Sequence, residues 1–298
     1  MTIRLGYQIP NFTYPGATGG QIFDTVVAQA REAEGAGFDT VLVMDHFYQL
    51  PGIGTPEQPM LESYTTLGAL ATATSAIQLS ALVTGNTYRN PAMLAKTVTT
   101  LDVVSHGRAI LGIGAGWYER EHHDLGYEFG TFGQRFERLE EALTIIAPML
   151  KGEEPTVEGK WYQARNAMNN PRHRDDVPIM LGGSGEQKTF RLAARFADHM
   201  NIICALDDLG RKVSVLKQRC EEIGRDPATL ATSYLASVHL GGGARPGTFA
   251  GQPEEVAEQL HEKVLGQGVT GLTINMIANG HEPGVVAAAG AALKPLVS

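Results

Sequence analysis

The sequence predicts an α/β fold, a (β/α)8 TIM barrel formed by one domain over residues 1–298, with a short insertion at about 152–176. Strand-like and helix-like segments alternate along the whole chain, which is typical of parallel sheets. The strand-like segments number about eight, which is the barrel pattern. No linker or change of composition divides the chain. A doubly wound open sheet is the alternative fold.

Hydrophobic periodicity assigns the elements in order. The predicted strands cover 5–9, 40–44, 78–84, an apolar run after Gly107 that ends in alternating glycines, 178–181, 199–203, 233–240 and 271–275. The predicted helices cover 22 to about 35, 63–74, 91 to about 105, 132–150, about 186–196, a segment ending at 223, 253–265 and a final segment. Asn90 and Pro91 form a helix start, with Asn as the cap and Pro in the first turn.

The insertion and the longest helix carry two further expectations. Thr156 to Tyr162 predicts a small hairpin around Gly159. Helix 132–150 is amphipathic, with an apolar face toward the barrel. Its charged residues are predicted to be solvated rather than catalytic: Arg135, Glu137, Arg138, Glu140 and Glu141.

Composition excludes several classes of partner. The chain has 24 Lys and Arg against 32 Asp and Glu, a net charge of −8, which argues against nucleic acids and anionic membranes. The first residues predict a strand rather than a signal peptide, and no apolar stretch is long enough to span a bilayer. Cys204 and Cys220 suggest neither a disulfide framework nor a metal site. A reducing cytoplasm is the expected location.

The active site of a parallel barrel lies where the strands end, so residues directly after each strand are candidates. In chain order these are Asn11, Asp45, His46, Thr84, Gly114 to Trp117, Gly182 to Gly185, Asn201 and Asn275. His46 exchanges a proton near neutral pH, and a neighbouring carboxylate such as Asp45 can tune or orient it. A structural histidine at a strand end is the alternative.

Two glycine-rich turns predict close backbone contacts with a ligand. Gly114, Ala115 and Gly116 allow a flat group to approach the chain. Gly182 to Gly185 precedes a predicted helix, and amides at a helix start bind anions. An ordinary glycine turn with Ser184 as a helix cap is the alternative for this second segment.

Other chemistries fit less well. Gly112, Gly114 and Gly116 resemble a dinucleotide-binding fingerprint, but they follow the fourth strand and Trp117 replaces its third glycine. Asp45 and His46 together with His122, His123 and Asp124 suggest a metal-dependent hydrolase, yet no further ligand pattern is evident. Neither a nucleophile elbow nor a Walker loop is present.

Several motifs resemble the luciferase-like monooxygenase superfamily, and within it the F420-dependent oxidoreductases. They span about residues 1–205: Met44-Asp45-His46-Phe47, Arg89-Asn90-Pro91 with the helix to Leu101, Ser105 to Arg108 and on to Trp117, Tyr118 to His122, Phe132 to Phe136, and Ile179 to Gly185. The resemblance implies a (β/α)8 barrel with a flavin or deazaflavin at its mouth. It also implies a small-molecule substrate, hydride chemistry or oxygen activation, and a homodimer.

The same resemblance implies the site residues. The expected catalytic residues are His46, Asp45 and Trp117, with no metal. The expected cofactor-binding residues are Asp45, Ala81, Leu82, Thr84, Gly114, Ala115, Gly116, Gly182, Gly183, Ser184, Gly185 and Asn201. Coenzyme F420 is the expected cofactor, and FMN is the alternative; a non-catalytic flavin-binding protein is the other possibility.

Two details of the resemblance are specific to this chain. Relatives that oxidise sugar phosphates carry an acidic residue where Trp117 stands, so a sugar phosphate is not the expected substrate. Family members also have a non-proline cis peptide behind the ring. It is expected at Ala81-Leu82 or Leu82-Val83.

Overall fold

The computed structural model describes residues 3–243 and 245–297 as a barrel of parallel strands surrounded by helices. Its strands are β1 (Leu5–Ile9), β2 (Thr40–Val43), β3 (Gln78–Ala81), β4 (Thr84–Gly85), β5 (Ala109–Gly114), β6 (Val157–Glu158), β7 (Gln163–Ala164), β8 (Ile179–Gly183), β9 (His199–Ile202), β10 (Ala231–Leu240), β11 (Thr248–Gly251) and β12 (Gly271–Asn275). Its helices are α1 (Gln21–Gly35), α2 (Ser63–Ala73), α3 (Pro91–Val104), α4 (Glu119–Leu125), α5 (Phe132–Leu150), α6 (Thr189–Phe196), α7 (Leu209–Glu221), α8 (Pro253–Lys263) and α9 (Val285–Leu293).

The barrel closes through parallel pairing around a complete ring. Its order is β1-β2-β3-β5-β8-β9-β10-β12, and β12 pairs with β1. Gly6, for example, lies opposite Thr40 on one side and Thr273 on the other. The predicted (β/α)8 barrel is therefore confirmed, and the open sheet is wrong because the ring leaves no free edge.

The third predicted strand, 78–84, is divided in the structure. β3 ends at Ala81, and β4 begins at Thr84 and pairs only with β5. Between them, Leu82 and Val83 are joined by a cis peptide bond, at one of the two expected positions. After the break, the amide of Gly85 donates to the Asp45 carboxylate at 2.9 Å.

One predicted element needs correction, and two elements are additional. The sixth helix begins at Thr189 rather than near Glu186, because Glu186 to Lys188 form turns that lead into the helix. The short helix α4 and the short strand β11 were not predicted. Both are too short for periodicity to show, and α4 ends at Gly126 in the left-handed conformation.

Capping side chains fix the two helices that flank the mouth. Asn90 caps α3 as predicted, accepting hydrogen bonds from the amides of Ala92 and Met93. Helix α5 has its predicted bounds and begins with a capping box between Thr131 and Gln134.

Part of the predicted solvated face of α5 is buried. Arg135 donates to the carbonyls of Gly116 and Gly130, and Arg138 pairs with Glu128. Both are buried because loops fold over this face; Glu137 and Glu140 remain exposed. The prediction of solvation is therefore wrong for the two arginines.

The insertion contains the predicted hairpin. β6 and β7 pair antiparallel, with Val157 opposite Ala164. The carboxylate of Glu141 on α5 accepts hydrogen bonds from the amides of Trp161 and Tyr162, so the hairpin turn is fastened to the helix.

The core has two parts. The larger lies between the barrel and its helices, and a smaller apolar cluster contains Ile3, Leu42, Leu82, Ile110 and Met180. Within the described residues, no helix is long and apolar enough to cross a bilayer.

Candidate active site

A cavity of about 340 Å³ opens at the carboxyl ends of the barrel strands. The predicted site residues that line it are Asp45, His46, Leu82, Thr84, Gly116, Trp117, Gly182 and Gly183. Its other walls are mostly apolar and comprise Met44, Leu50, Ile53, Val83, Ile203 and Leu235, together with Gln8, Gly85, Tyr88 and Asn275. The structure therefore brings the ends of β2, β4 and β8 together, as the barrel pattern predicts.

The remaining predicted residues lie outside the lining of this cavity. They are Ala81, Gly114, Ala115, Ser184, Gly185 and Asn201. Ala81 is buried in β3, and Asn201 is fully buried inside the barrel.

His46 is paired with a carboxylate, but not with its neighbour Asp45. Its Nδ1 lies 2.9 Å from Oε2 of Glu121, in α4. The Glu121 side chain is completely buried, whereas 14% of the His46 side chain is exposed. The sequence analysis had placed Asp45 in this role. The correction follows from the loop after β5, which turns α4 back across the barrel mouth.

Glu121 is held by four hydrogen bonds. Its Oε1 accepts from the amides of Phe47 and Tyr48, and its Oε2 accepts from Tyr88 and His46. Burial raises the pKa of a carboxyl, but here the bonds from His46, Tyr48 and Tyr88 outweigh burial and lower the pKa of Glu121 below its ordinary value. Glu121 is therefore ionised near neutral pH.

The charge on Glu121 determines the tautomer of His46. An ionised carboxylate only accepts hydrogen bonds, so Nδ1 of His46 carries the proton. Burial, followed by the bond to Glu121, raises the pKa of Tyr88 well above its ordinary value, so this phenol remains a donor. When the ring carries a single proton, Nε2 of His46 is therefore the acceptor, and among the described residues no hydrogen bond occupies it.

Asp45 is fully occupied by a different set of partners. Its carboxylate receives a bidentate ion pair from Arg89, at 2.6 and 2.9 Å. Ser63 and the amide of Gly85 donate the other two hydrogen bonds, at 2.6 and 2.9 Å. Arg89 also contacts Glu62 at 2.7 Å. Asp45 therefore fastens the loop after β2 to α2 and β4, and none of its hydrogen bonds within the described chain goes to His46.

The glycines at the ends of β5 and β8 leave space that other side chains of the protein fill. A Cβ at Gly114 would come within 2.8 Å of Val83 Cγ2, and one at Gly182 within 2.8 Å of Val83 Cγ1. Val83 thus packs between two glycines on neighbouring strands. Gly116, at φ 79°, faces Thr87 and its carbonyl accepts from Arg135.

The turn after β8 presents unoccupied amides. Within residues 3–243 and 245–297, the N–H groups of Ser184 and Gly185 donate no hydrogen bond. Lys212 donates to the Ser184 carbonyl at 2.9 Å and pairs with Glu186 at 2.7 Å. Because α6 begins only at Thr189, any anion here would contact turn amides rather than the first turn of the helix.

Polar side chains continue below the cavity. Asn201 donates to Ser233 at 2.7 Å and to Thr273 at 3.1 Å, and His199 contacts the same serine at 2.8 Å. Nearer the mouth, Asn275 donates to Gln8 at 3.1 Å, while its own Oδ1 is buried and has no hydrogen-bond partner in the described chain.

The histidines predicted as possible metal ligands are engaged elsewhere. His122 is buried between the Tyr118 carbonyl and Thr87, at 2.8 and 2.7 Å, and burial lowers its pKa. His123 is exposed beside Glu119. No group of three or more His, Cys, Asp or Glu residues within the described chain is arranged to hold a metal ion.

Comparison with known proteins gives the family. The model of the luciferase-like monooxygenases matches residues 3–244. The chain belongs to this family. An F420-dependent glucose-6-phosphate dehydrogenase of Microbacterium testaceum is 37% identical over 167 residues, which are 56% of this chain and 48% of that protein. The corresponding enzyme of Nakamurella multipartita is 34% identical over 199 residues, 66% of this chain and 55% of that protein. The matches thus span about half the length of these curated relatives.

Solved structures show the same fold over the whole chain. An F420-dependent secondary alcohol dehydrogenase, in complex with an F420-acetone adduct, has a TM-score of 0.83 at 20% identity and 100% coverage of both chains. The FMN-containing oxygenating component of 3,6-diketocamphane monooxygenase from Pseudomonas putida has a TM-score of 0.77 at 18% identity, covering 98% of this chain and 97% of that one. Structures that contain either cofactor therefore share this fold.

Sequence reasoning missed several contacts of this luciferase-like site. Glu121 and Arg89 stood in motifs that carried the resemblance, but the contacts that they make with His46 and Asp45 were not predicted. Tyr88 and Ser63 were not singled out. A usable signal was their position, since Tyr88 and Arg89 follow β4 and Glu121 follows β5, at the end of the barrel where active sites lie.

Proposed function

We propose that this chain is an oxidoreductase that uses coenzyme F420 for hydride transfer to or from a small organic substrate. The observation that carries the proposal is the buried His46–Glu121 pair, with Nε2 of His46 unoccupied at a largely apolar cavity. Support comes from membership of the luciferase-like family and from curated relatives that are F420-dependent dehydrogenases.

The residues of the mouth fit a planar ring cofactor. Leu82 and Val83 offer an apolar surface, and Gly182 and Gly183 add no side chain beyond the backbone. Asn275 Oδ1, buried and unpartnered in the described chain, needs a donor such as a ring N–H. We propose that these residues, with Thr84 and Gly116, hold the ring, and that amides of Ser184 and Gly185 hold a phosphate.

The other predicted residues act indirectly in this proposal. Asp45 fixes the loop that carries His46, and Gly114 makes room for Val83. Ala81 and Ala115 pack behind the mouth, and Asn201 orders the polar groups below it. Trp117 is 61% exposed and meets the His46 ring edge-on at 5.7 Å, so it forms part of the wall beside the proton acceptor.

A bound deazaflavin supplies a carbon that gives or takes a hydride. The chain's part is to manage the proton. His46 Nε2 accepts the proton of a substrate hydroxyl during oxidation and returns it during reduction, while Glu121 stabilises the imidazolium that forms. Replacement His46→Ala should lower kcat by about 10²-fold or more, with little change in cofactor affinity. A near-normal kcat would make His46 a structural residue.

Fluorescence titration of the purified protein with F420 and with FMN tests the cofactor. We expect F420 to bind, and Asn275→Ala to weaken it by about two- to tenfold, the value of one hydrogen bond. Asn279→Ala is the matched control, because Asn279 also has a buried, unpartnered Oδ1 in the described chain but lies outside the cavity lining. Binding of FMN without F420 would favour an FMN-dependent monooxygenase instead.

We also propose that the chain forms one domain over 1–298, acts in the cytoplasm and assembles as a homodimer. The face formed by α2 and α3 supports the dimer. Helix α2 contains no charged residue, and Met93 and Val104 on α3 are 62% and 42% exposed. Sedimentation equilibrium tests this directly; Met93→Glu should shift a dimer toward monomer.

A further inference from the structure

We propose that the substrate is an uncharged, largely apolar alcohol, or the carbonyl compound formed from it, and not a sugar phosphate. This inference rests on the proposed F420-dependent function. The described side chains of the cavity wall lack the cationic groups that a phosphorylated substrate requires.

The cavity lacks a cation that could receive a substrate anion. Among its described lining residues there is no Lys or Arg. Two guanidinium groups bond to lining residues, and both are engaged. Asp45 binds Arg89 bidentately and Glu62 takes a further contact, while Arg135 donates to the carbonyls of Gly116 and Gly130. Phosphate and carboxylate groups are usually bound by charge-assisted bonds from such side chains. A charged substrate would therefore lose its hydration here without compensation.

The polar atoms of the wall are mostly used within the protein. The four hydrogen bonds to Asp45 leave its carboxylate no room for a sugar hydroxyl. Thr84 is bonded to Tyr64 at 2.7 Å, and Gln8 to Asn275 and Leu82. Among the side-chain atoms of the described lining, His46 Nε2, Asn275 Oδ1 and the indole N–H of Trp117 remain. With Asn275 assigned to the cofactor, one acceptor and one donor are left for the substrate, enough for one hydroxyl or carbonyl oxygen.

The outer wall is apolar. Leu50 and Ile53 come from the loop after β2, Ile203 follows β9, and Trp117 follows β5. Ile203 is 44% exposed and Trp117 is 61% exposed. Exposed apolar side chains around a cavity are typical of a surface that binds an apolar group.

The reaction balances with the groups named. Oxidation breaks the carbinol C–H bond, whose hydride reduces the cofactor, and the O–H bond, whose proton passes to His46 Nε2. A C=O bond forms, so the alcohol loses two electrons and the cofactor gains them. No further oxidant is needed.

Turnover by the F420-loaded enzyme tests the class. From butan-2-ol to hexan-2-ol, kcat/KM should rise about fourfold for each methylene, the value of burying one CH₂ group. The matched control is 3-hydroxybutyrate, which replaces a terminal methyl of butan-2-ol with a carboxylate. Its kcat/KM should be at least about 100-fold lower, and glucose 6-phosphate should not react. Comparable turnover of either anion would overturn the proposal.

A binding measurement separates this inference from the proposed cofactor. The chain has two tryptophans, Trp117 and Trp161, so in Trp161→Phe the emission reports on Trp117 alone. We expect a saturable change with hexan-2-ol and none with 3-hydroxyhexanoate or glucose 6-phosphate, with or without F420. A response to the anions, or to none of these compounds, would overturn the inference. Absence of F420 binding would instead overturn the proposed function.

Discussion

Two buried carboxylates, Asp45 and Glu121, hold the barrel mouth in similar ways but have different consequences. Asp45 and Glu121 each accept four hydrogen bonds, and each pairs with a basic side chain. Arg89 donates to Asp45 and Glu62, whereas His46 bonds to Glu121 through Nδ1 and its Nε2 stays available at the cavity. The number of bonds to a carboxylate therefore does not reveal its role. What matters is whether its partner has an atom left for another molecule.

The largest expected effect on stability comes from removing the Arg89 guanidinium that pairs with Asp45. Arg89→Met strands a carboxylate that is 2% exposed, so the free energy of unfolding should fall by about 3–5 kcal/mol. The double variant Asp45→Asn, Arg89→Met should recover much of this loss, because no buried charge remains. Urea denaturation of the two variants provides the measurement. Equal stability of Arg89→Met and the unsubstituted protein would show that the pair does not fasten the mouth.

The second effect is on catalysis. In Glu121→Gln, the amides of Phe47 and Tyr48 keep the side-chain oxygen, so the NH₂ group faces His46 Nδ1. The histidine proton then moves to Nε2, and kcat should fall by about 10²-fold or more. Nitrogen chemical shifts of His46 report the tautomer independently of turnover.

Tyr88→Phe is the matched control for Glu121→Gln. It removes one donor to Glu121 but leaves the carboxylate and the tautomer unchanged, so kcat should fall less than about tenfold. A larger loss in Tyr88→Phe than in Glu121→Gln would mean that tautomer control is not the function of Glu121.

A third test concerns His199, a buried histidine that bonds to Ser233 and to no carboxylate among the described residues. Burial lowers the pKa of His199 from 6.5 to about 3. Below pH 6.5 the unfolded chain binds a proton that the folded chain does not, so stability is lost as the pH falls toward about 3. From about pH 7.5 to about pH 5.5, the free energy of unfolding should fall by about 1.4 kcal/mol more than in His199→Asn. If the free energy of unfolding changed equally with pH in both proteins, the lowered pKa of His199 would be contradicted.

The smallest effect is expected at an exposed pair of the same chemistry as Asp45–Arg89. Arg120 and Asp124 contact each other at 3.2 Å with side chains 52% and 43% exposed. Asp124→Asn should change the free energy of unfolding by less than about 0.5 kcal/mol, since water already solvates both groups. A loss close to that of Arg89→Met would show that burial does not set the difference.

The sequence was sufficient for the architecture because the relevant signals are local. Alternating segments predicted the barrel, and the apolar stripe of α5 predicted Phe132 and Leu150 as its ends. Asn90 and Pro91 predicted the start of α3. Periodicity, caps and turns are set by neighbouring residues, so a single sequence displays them.

The site was only partly predictable because its decisive contact is distant along the chain. His46 and Glu121 are separated by 75 positions. Adjacency in sequence suggested Asp45 as the partner, yet Asp45 bonds to Ser63, Gly85 and Arg89 instead. Glu121 also lies on α4, a helix too short to be recognised from periodicity. Its orientation depends on how the loop after β5 folds over the mouth.

Because Val83 packs between Gly114 and Gly182, the residue types that these three positions tolerate depend on one another. A methyl group added at either glycine occupies the volume that a valine γ-carbon now fills. Residues 83, 114 and 182 should therefore change together, a larger residue on β5 or β8 being tolerated where position 83 is smaller. In any redesign of this side of the cavity, the residues at the ends of β5 and β8 and between β3 and β4 must be chosen together.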